Sequence, residues 1–151
     1  MRWTFLFGGA LLFTSGCKAT PPSPLAGLAA ASTAEEEMSR AIPVLAIANL
    51  KRSESYFRDV LGFHVEWEYG TPPDFASVSR GDARFFLCQG CPGKQSWTMV
   101  FTRDVDQLHQ EIKGKGAIIR RAPTDMPWNL REMVVADRDG NVIRFGSPLR
   151  K

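Results

Sequence analysis

The C-terminal two thirds of the chain repeat one pattern of elements: an apolar strand, an amphipathic helix ending near a glycine, a second strand and a hairpin. The first copy has its helix at Leu50–Val60 and its strands at Ile42–Ala48, Phe63–Tyr69, Phe75–Ser79 and Ala83–Cys88. The second copy has its helix at Asp104–Lys113 and its strands at Trp97–Thr102, Ala117–Arg121, Glu132–Ala136 and Asn141–Phe145. We therefore predict an α+β fold of paired βαβββ modules, with two small curved sheets side by side and a groove between them.

Charge limits the class of partner. The chain has 19 basic and 16 acidic residues and a net charge of +3, and the two signs are interspersed along it. A nucleic-acid-binding protein would need basic residues clustered on one face, so we predict no nucleic-acid partner. The overall charge also provides no long-range attraction for a cationic ligand.

The N-terminus has the composition of an export signal. An apolar run from Trp3 to Phe13 follows Arg2, and Thr14, Ser15 and Gly16 precede Cys17. The run is too short to span a bilayer and is typical of a signal peptide. The small residues before Cys17 resemble a bacterial lipobox, in which the cysteine is lipidated. We predict a signal peptide at 1–17, lipidation of Cys17, and a cell-envelope lipoprotein that meets the membrane only through this lipid.

A Pro-, Ala- and Ser-rich segment separates this signal from the repeated modules. We interpret residues 18–41 as a flexible linker and residues 42–148 as the folded domain. The alternative is a cytoplasmic protein whose translation starts at Met38.

Two cysteines of the domain, Cys88 and Cys91, are spaced as Cys-Gln-Gly-Cys. A zinc site would need a second pair of ligands, and a redox motif would open a helix, whereas Pro92-Gly93 makes this segment a loop. A local disulfide fits an oxidising compartment, and unlinked cysteines fit the cytoplasm. The sequence leaves both states open.

Two segments carry a family resemblance. YFRDVLGF at Tyr56–Phe63 and DRDGNVIRF at Asp137–Phe145, in this order, resemble the glyoxalase/bleomycin-resistance/dioxygenase superfamily, also called the vicinal oxygen chelate fold. The resemblance extends over Ile42–Pro148. Because one fold can host many activities, function has to be argued from the groove.

The resemblance also implies where a metal would bind. Metal-using members take ligands from matching points of the two copies, and these points fall on Ile42, Trp97 and Arg144 here. Isoleucine and tryptophan cannot ligate a divalent metal, and an arginine would repel it. His64 and His109 supply no ligand cluster. The resemblance therefore implies a protein with neither metal nor cofactor.

Aromatic side chains are the chemistry that remains, since we find no nucleophile motif and assign no catalytic residue. An aromatic groove with a few fixed polar groups suits a flat heteroaromatic ligand. The alternative role for the aromatic residues is core packing, which we predict for Phe101 and Phe145. The predicted ligand-binding residues are Trp67, Phe75, Trp97, Trp128, Arg131, Glu132 and Arg144.

The segments 72–90 and 127–146 resemble bleomycin-resistance proteins. The resemblance implies a homodimer that sequesters an aromatic or glycopeptide antibiotic of the bleomycin type, unmodified, in grooves between subunits. One feature departs from this picture: bleomycin is cationic and its binding proteins tend to be acidic, whereas this domain is slightly basic. The alternatives are a glyoxalase-like lyase, isomerase or dioxygenase, and a tethered module that senses a cell-envelope metabolite.

Overall fold

Two four-stranded sheets, each with one helical segment, account for the part of the chain that the structure describes, residues 40–149. The structure is a computed structural model. The first copy consists of β1 (Val44–Ile47), α1 (Leu50–Ser55), a π-helical turn (Tyr56–Val60), β2 (His64–Gly70), β3 (Pro73–Arg80) and β4 (Ala83–Gln89). The second consists of β5 (Trp97–Phe101), α2 (Val105–Lys113), β6 (Ile118–Asp125), β7 (Leu130–Ala136) and β8 (Val142–Pro148). The predicted pair of βαβββ modules is confirmed.

The predictions for the N-terminus concern residues that lie almost wholly outside the described range. The signal peptide at 1–17, the lipidation of Cys17, the linker up to residue 39 and the alternative start at Met38 lie outside the described residues. Within residues 40–149, no helix is long and apolar enough to cross a membrane.

Both sheets have the same topology. Their strand orders are β1-β4-β3-β2 and β5-β8-β7-β6. In each sheet the first strand pairs in parallel with the last, and the remaining pairs are antiparallel. β1 and β5 therefore occupy equivalent edges.

Polar caps and a glycine determine where the helices begin and end. The side chain of Asn49 accepts the N–H of Arg52 at 2.9 Å, and Asp104 caps α2 in the same way. The predicted helix Leu50–Val60 changes to π geometry at Tyr56 and stops before Gly62, whose φ is +73°. A Cβ at Gly62 would lie 2.8 Å from Arg80 Nη1, so glycine is required here for both space and conformation.

One apolar core joins the two copies. Its aromatic part is the ring cluster of Phe57, Phe63 and Phe85, with centroid separations of 5.4 to 5.9 Å. Val135 and Ile143 of the second copy belong to the same core. Burying each side chain of this size stabilises the fold by about 1.5–3 kcal/mol.

Buried hydrogen bonds also link the copies. The hydroxyl of Tyr56 donates to the Ala136 carbonyl at 2.8 Å and accepts the N–H of Ile118 at 3.0 Å. Burial raises the pKa of Tyr56, so it remains a protonated donor at neutral pH. Asn141 Nδ2 donates to the Ala46 carbonyl at 3.0 Å. These bonds position the second sheet against the first.

Candidate ligand-binding faces

Each sheet has one face against the core and one face that no other described element covers. Side chains alternate along a strand, so the residues between the core positions point away from the helices. Several large side chains on these uncovered faces are strongly exposed, among them Trp67 by 41%, Trp97 by 67%, Phe101 by 70% and Trp128 by 55%. We call the uncovered faces of the β1–β4 and β5–β8 sheets the first and second open face.

The first open face holds a cluster of three aromatic rings. Trp67 stacks on Phe75 at a centroid distance of 6.0 Å, and Phe86 lies 5.3 Å from Trp67 and 5.4 Å from Phe75. A register shift in β2 between Val65 and Trp67 places Trp67 opposite Ser77, and so on this face. The cluster is an apolar surface that extends over the neighbouring strands β2, β3 and β4.

Beside this cluster lies a paired carboxylate. Glu66 accepts hydrogen bonds from Ser77 Oγ at 3.0 Å, Ser79 Oγ at 2.8 Å and Arg84 Nη2 at 2.7 Å. The charge of Arg84 balances that of Glu66. This part of the first open face is therefore polar but close to neutral.

The second open face has an arginine between two tryptophans. The guanidinium carbon of Arg144 is 5.7 Å from the ring centroid of Trp97 and 5.9 Å from that of Trp128. Both distances are within the range of cation–π attraction. We call this group the Trp97–Arg144–Trp128 cluster.

A buried glutamate holds the cluster together. Glu132 is 2% exposed. Its Oε1 accepts from Trp128 Nε1 at 2.7 Å, and its Oε2 accepts from Arg144 and, at 3.4 Å, from Arg121. Both carboxylate oxygens therefore have hydrogen-bond donors. These hydrogen bonds orient Trp128 and Arg144, two members of the cluster.

Opposing effects act on the pKa of Glu132. Burial by itself would raise this pKa. The hydrogen bonds from Arg144 and Trp128, with the charges of Arg144 and Arg121, outweigh burial and hold the pKa below its ordinary value. Glu132 is therefore ionised at neutral pH.

The structure brings four of the predicted ligand-binding residues together and places three elsewhere. Trp97, Trp128, Glu132 and Arg144 form one site. Trp67 and Phe75 lie on the other open face, and Arg131 lies on the core side of β7. Arg131 is separated from the site because it and Glu132 are neighbours in one strand, and their side chains must therefore face opposite ways.

Arg131 has a structural environment of its own. Its guanidinium bonds both carboxylate oxygens of Asp106 in α2, at 2.7 and 3.0 Å, and also bonds Asp125. These acids raise the pKa of Arg131 further above its ordinary value. Arg131 thus connects β7 to α2 and β6, away from the second open face.

Some members of the open faces were not predicted as ligand-binding residues. The prediction that Phe101 packs in the core is wrong: it is 70% exposed, because it lies two residues from Met99 and four from Trp97 on β5. Phe145 is in the core as predicted, with 4% exposure. Phe86 and Arg121 also belong to the open faces, and only the strand register reveals this.

The three residues at the positions that the resemblance assigns to metal ligands do not lie together in one site. Ile42 precedes β1 and is half-buried, while Trp97 and Arg144 lie on adjacent strands of the second open face. Among residues 40–149, no group of three or more His, Cys, Asp or Glu is arranged to hold a metal ion.

A disulfide joins Cys88 and Cys91, whose Cα atoms are 5.6 Å apart. The linked segment begins within the last residues of β4. It includes Gln89, whose Oε1 accepts the N–H of Leu50 at 2.7 Å and so satisfies a free donor of the first turn of α1. The structure thus contains the linked state of this pair.

A cavity of about 370 Å³ lies between the β3–β4 hairpin and the start of α2. Its apolar floor includes Phe63, Leu108 and Phe145, which are core residues. At its rim Arg80 and Glu111 are already paired at 2.7 Å. We assign ligand binding to the open faces instead, because their rings are exposed and do not serve the core.

Comparison with known proteins identifies the family. The family described as "Glyoxalase superfamily protein" matches residues 28–150. An uncharacterized protein of Mycolicibacterium smegmatis is 32% identical over 112 residues, which cover 72% of this chain and 92% of that protein. A bleomycin resistance protein of Geobacillus stearothermophilus is 27% identical over 130 residues, covering 72% and 96%.

Solved structures show the same fold. The bleomycin-binding protein of Streptomyces verticillus, complexed with copper(II)-bleomycin, has a TM-score of 0.62 and 25% identity, covering 75% of this chain and 98% of that one. TioX from Micromonospora sp. ML1 has a TM-score of 0.66 and 23% identity, covering 74% and 100%. Together with the repeated sheets, these matches show that the chain belongs to the glyoxalase/bleomycin resistance protein/dioxygenase superfamily.

Proposed function

We propose that this chain is a binding protein of the bleomycin-resistance type, which sequesters an aromatic small molecule without changing it chemically. The observation that carries the proposal is the Trp97–Arg144–Trp128 cluster. Trp97 is 67% exposed and Trp128 is 55% exposed, so both contribute little to the core. The buried Glu132 accepts a hydrogen bond from Trp128 and another from Arg144, whose guanidinium lies over both tryptophan rings. Exposed and ordered aromatic surface of this kind marks a binding site.

The relatives support the same role. Both the bleomycin resistance protein of Geobacillus stearothermophilus and the bleomycin-binding protein of Streptomyces verticillus match nearly their whole length to this domain. For the present chain, we propose stacking as the main source of affinity. One ring stacked on an aromatic side chain contributes about 1–3 kcal/mol.

We further propose that the binding unit is a homodimer. Each open face is a broad surface with exposed apolar side chains, such as Val44 at 49% and Phe101 at 70%. If the first open face of one subunit is opposite the second open face of its partner, both apolar surfaces are removed from water. The ligand would then lie between aromatic residues of two subunits.

We propose that binding needs no metal. The residues that support this are Ile42, Trp97 and Arg144, none of which is a ligand for a divalent ion. Elemental analysis of the purified protein should find less than one transition metal per subunit. Chelator treatment should leave ligand binding unchanged, whereas one bound metal lost together with an activity would indicate an enzyme of the same fold.

The experiment that tests sequestration is a titration followed by recovery of the ligand. Bleomycin and flat aromatic compounds are added in turn while tryptophan emission is recorded. The ligand is then extracted, and its mass is measured by mass spectrometry. We expect saturable quenching and full recovery of unmodified ligand. Conversion to a product, or the absence of quenching by all compounds, would contradict the proposal.

A further inference from the structure

We infer that the ligand of this site is an aromatic acid, whose anionic group lies against Arg144 and Arg121, and that cationic aromatics bind less well. The inference rests on the proposed function and adds the charge class of the ligand. It comes from the charges that the second open face presents to solvent.

The carboxylate of Glu132, which bonds two members of the Trp97–Arg144–Trp128 cluster, is not available to a ligand. The side chain of Glu132 is 2% exposed and accepts from three donors: Trp128, Arg144 and Arg121. A cationic ligand would have to displace one of these donors to reach it. Displacing a donor from a buried carboxylate costs more than an exposed ion pair returns.

The cations of the same site are accessible. The side chain of Arg144 is 27% exposed and that of Arg121 is 42% exposed. Arg121 on β6 and Arg144 on β8 both pair with Val134 on β7, the strand between them. The two guanidinium groups therefore belong to one face of the sheet. With Glu132 included, the three side chains carry a net charge of +1, and the exposed part is cationic.

The arginine also has terminal donors beyond the one that bonds Glu132. Its Nη2 donates to Glu132, and its Nε is buried, without a hydrogen-bond partner within residues 40–149. A guanidinium has five N–H donors, and an anion that reaches the remaining terminal ones while its ring stacks on a tryptophan would use both features of the site. A neutral aromatic would use only the stacking surface.

The first open face does not reverse this preference. Its carboxylate Glu66 is paired with Arg84 at 2.7 Å, and both side chains are about equally exposed, at 27% and 32%. A groove formed from both faces therefore keeps the positive charge of the second face.

A matched set of probes tests the inference on the full chain. The probes are 1-pyrenebutyrate, 1-pyrenebutanol and 1-pyrenebutylammonium, which share one ring and differ in charge. Dissociation constants are measured by tryptophan quenching at low and high salt. We expect the butyrate to bind at least about threefold more tightly than the alcohol, and the ammonium more weakly than the alcohol. High salt should reduce both differences.

Variants connect the preference to the named residues. Arg144→Gln should abolish the preference for butyrate, and Glu132→Gln, which retains a hydrogen-bond acceptor and removes the negative charge, should strengthen butyrate binding. Arg58→Gln is the control, because Arg58 lies in the π-helical turn, where it is paired with Asp59. If Arg144→Gln no longer binds the neutral alcohol, Arg121→Gln gives the same test of charge without disturbing the cation between the tryptophans.

The outcomes separate the two proposals. Equal binding of the three probes, or tightest binding of the ammonium, would overturn the inference and leave sequestration of an aromatic ligand intact. Absence of quenching by all three probes and by bleomycin would overturn the proposed function, and the inference with it. A preference for butyrate that persists in both arginine variants would also overturn the assignment to this site.

Discussion

Arg144 is the residue around which the candidate site is organised. It lies between Trp97 and Trp128 and bonds Glu132, so that one cation satisfies a buried acid and two aromatic faces. Free arginine side chains lose considerable entropy when ordered, and here the order is achieved before a ligand arrives. Binding should therefore depend on individual side chains of this cluster.

Replacing either tryptophan should separate binding from stability. In Trp97→Ala and Trp128→Ala, we expect affinity for a flat aromatic ligand to fall by about 1–3 kcal/mol, the contribution of one stacked ring. The melting temperature of Trp97→Ala should change little, since Trp97 is 67% exposed. Trp128→Ala should lose about 1–3 kcal/mol of stability in addition, because the buried Glu132 Oε1 loses the donor Trp128 Nε1. Phe57→Ala, at a fully buried position, should instead cost about 3–5 kcal/mol of stability. Large destabilisation of the tryptophan variants with unchanged affinity would contradict this.

The site should be insensitive to pH until acid conditions are reached. The pKa of Glu132 is lower in the folded protein than its ordinary value of 4.5. Its stabilising effect is therefore complete above that ordinary value and is lost as the pH falls through the lower, folded pKa. We expect Trp128 emission to stay constant from neutral pH to the ordinary value and to change below it. The acid step should be absent in Glu132→Gln, and a step near neutral pH would contradict the argument.

At the scale of elements, the β7–β8 turn is the connection that aligns the two sheets. Asn141 is fully buried, accepts the N–H of Ser96 at 3.0 Å, and donates to the Ala46 carbonyl and to Asp137. Burial raises the pKa of Asp137, the second member of this network. A short turn thus holds strands of both copies.

Removing this amide should cost much more than removing a helix cap. We expect Asn141→Ala to lower the free energy of unfolding by about 2–4 kcal/mol, because it leaves buried partners without bonds. Asn49→Ala, which removes only the cap of α1, should cost about 1 kcal/mol. Urea denaturation of both variants measures the difference. Equal effects would mean that the β7–β8 turn does not connect the copies energetically.

For the whole molecule, we expect two copies of the chain to form a dimer, because the open faces expose apolar side chains to water. Light scattering of the full chain at micromolar concentration should give a dimer. Phe101→Glu should weaken it, since a charge would replace a 70% exposed ring on the second open face, and the fold should survive because that ring is outside the core. Lys113→Glu, at the exposed end of α2, is the control. A monomeric wild-type chain would exclude a shared groove.

Local patterns in the sequence were sufficient for the elements and the family. The two apolar strands, the helix ending at Gly62 and the turn chemistry repeat at matching places, and each depends on neighbours a few residues apart. Trp97, Trp128, Glu132 and Arg144 were candidates because of the family resemblance and their nearness in sequence to the predicted groove. Neither reason distinguishes Arg131 from Glu132, although these neighbours face opposite sides of β7.

Tertiary structure alone decided which face of each sheet is open. Phe101 was predicted in the core because it is large and apolar, yet its strand register places it with Trp97 on the uncovered side. The register shift in β2 placed Trp67 opposite Ser77, and pairing across β6, β7 and β8 brought Arg121 to Glu132. Periodicity is a property of neighbouring residues and can be read from them. Exposure depends on which distant elements cover a side chain, and no local pattern contains that.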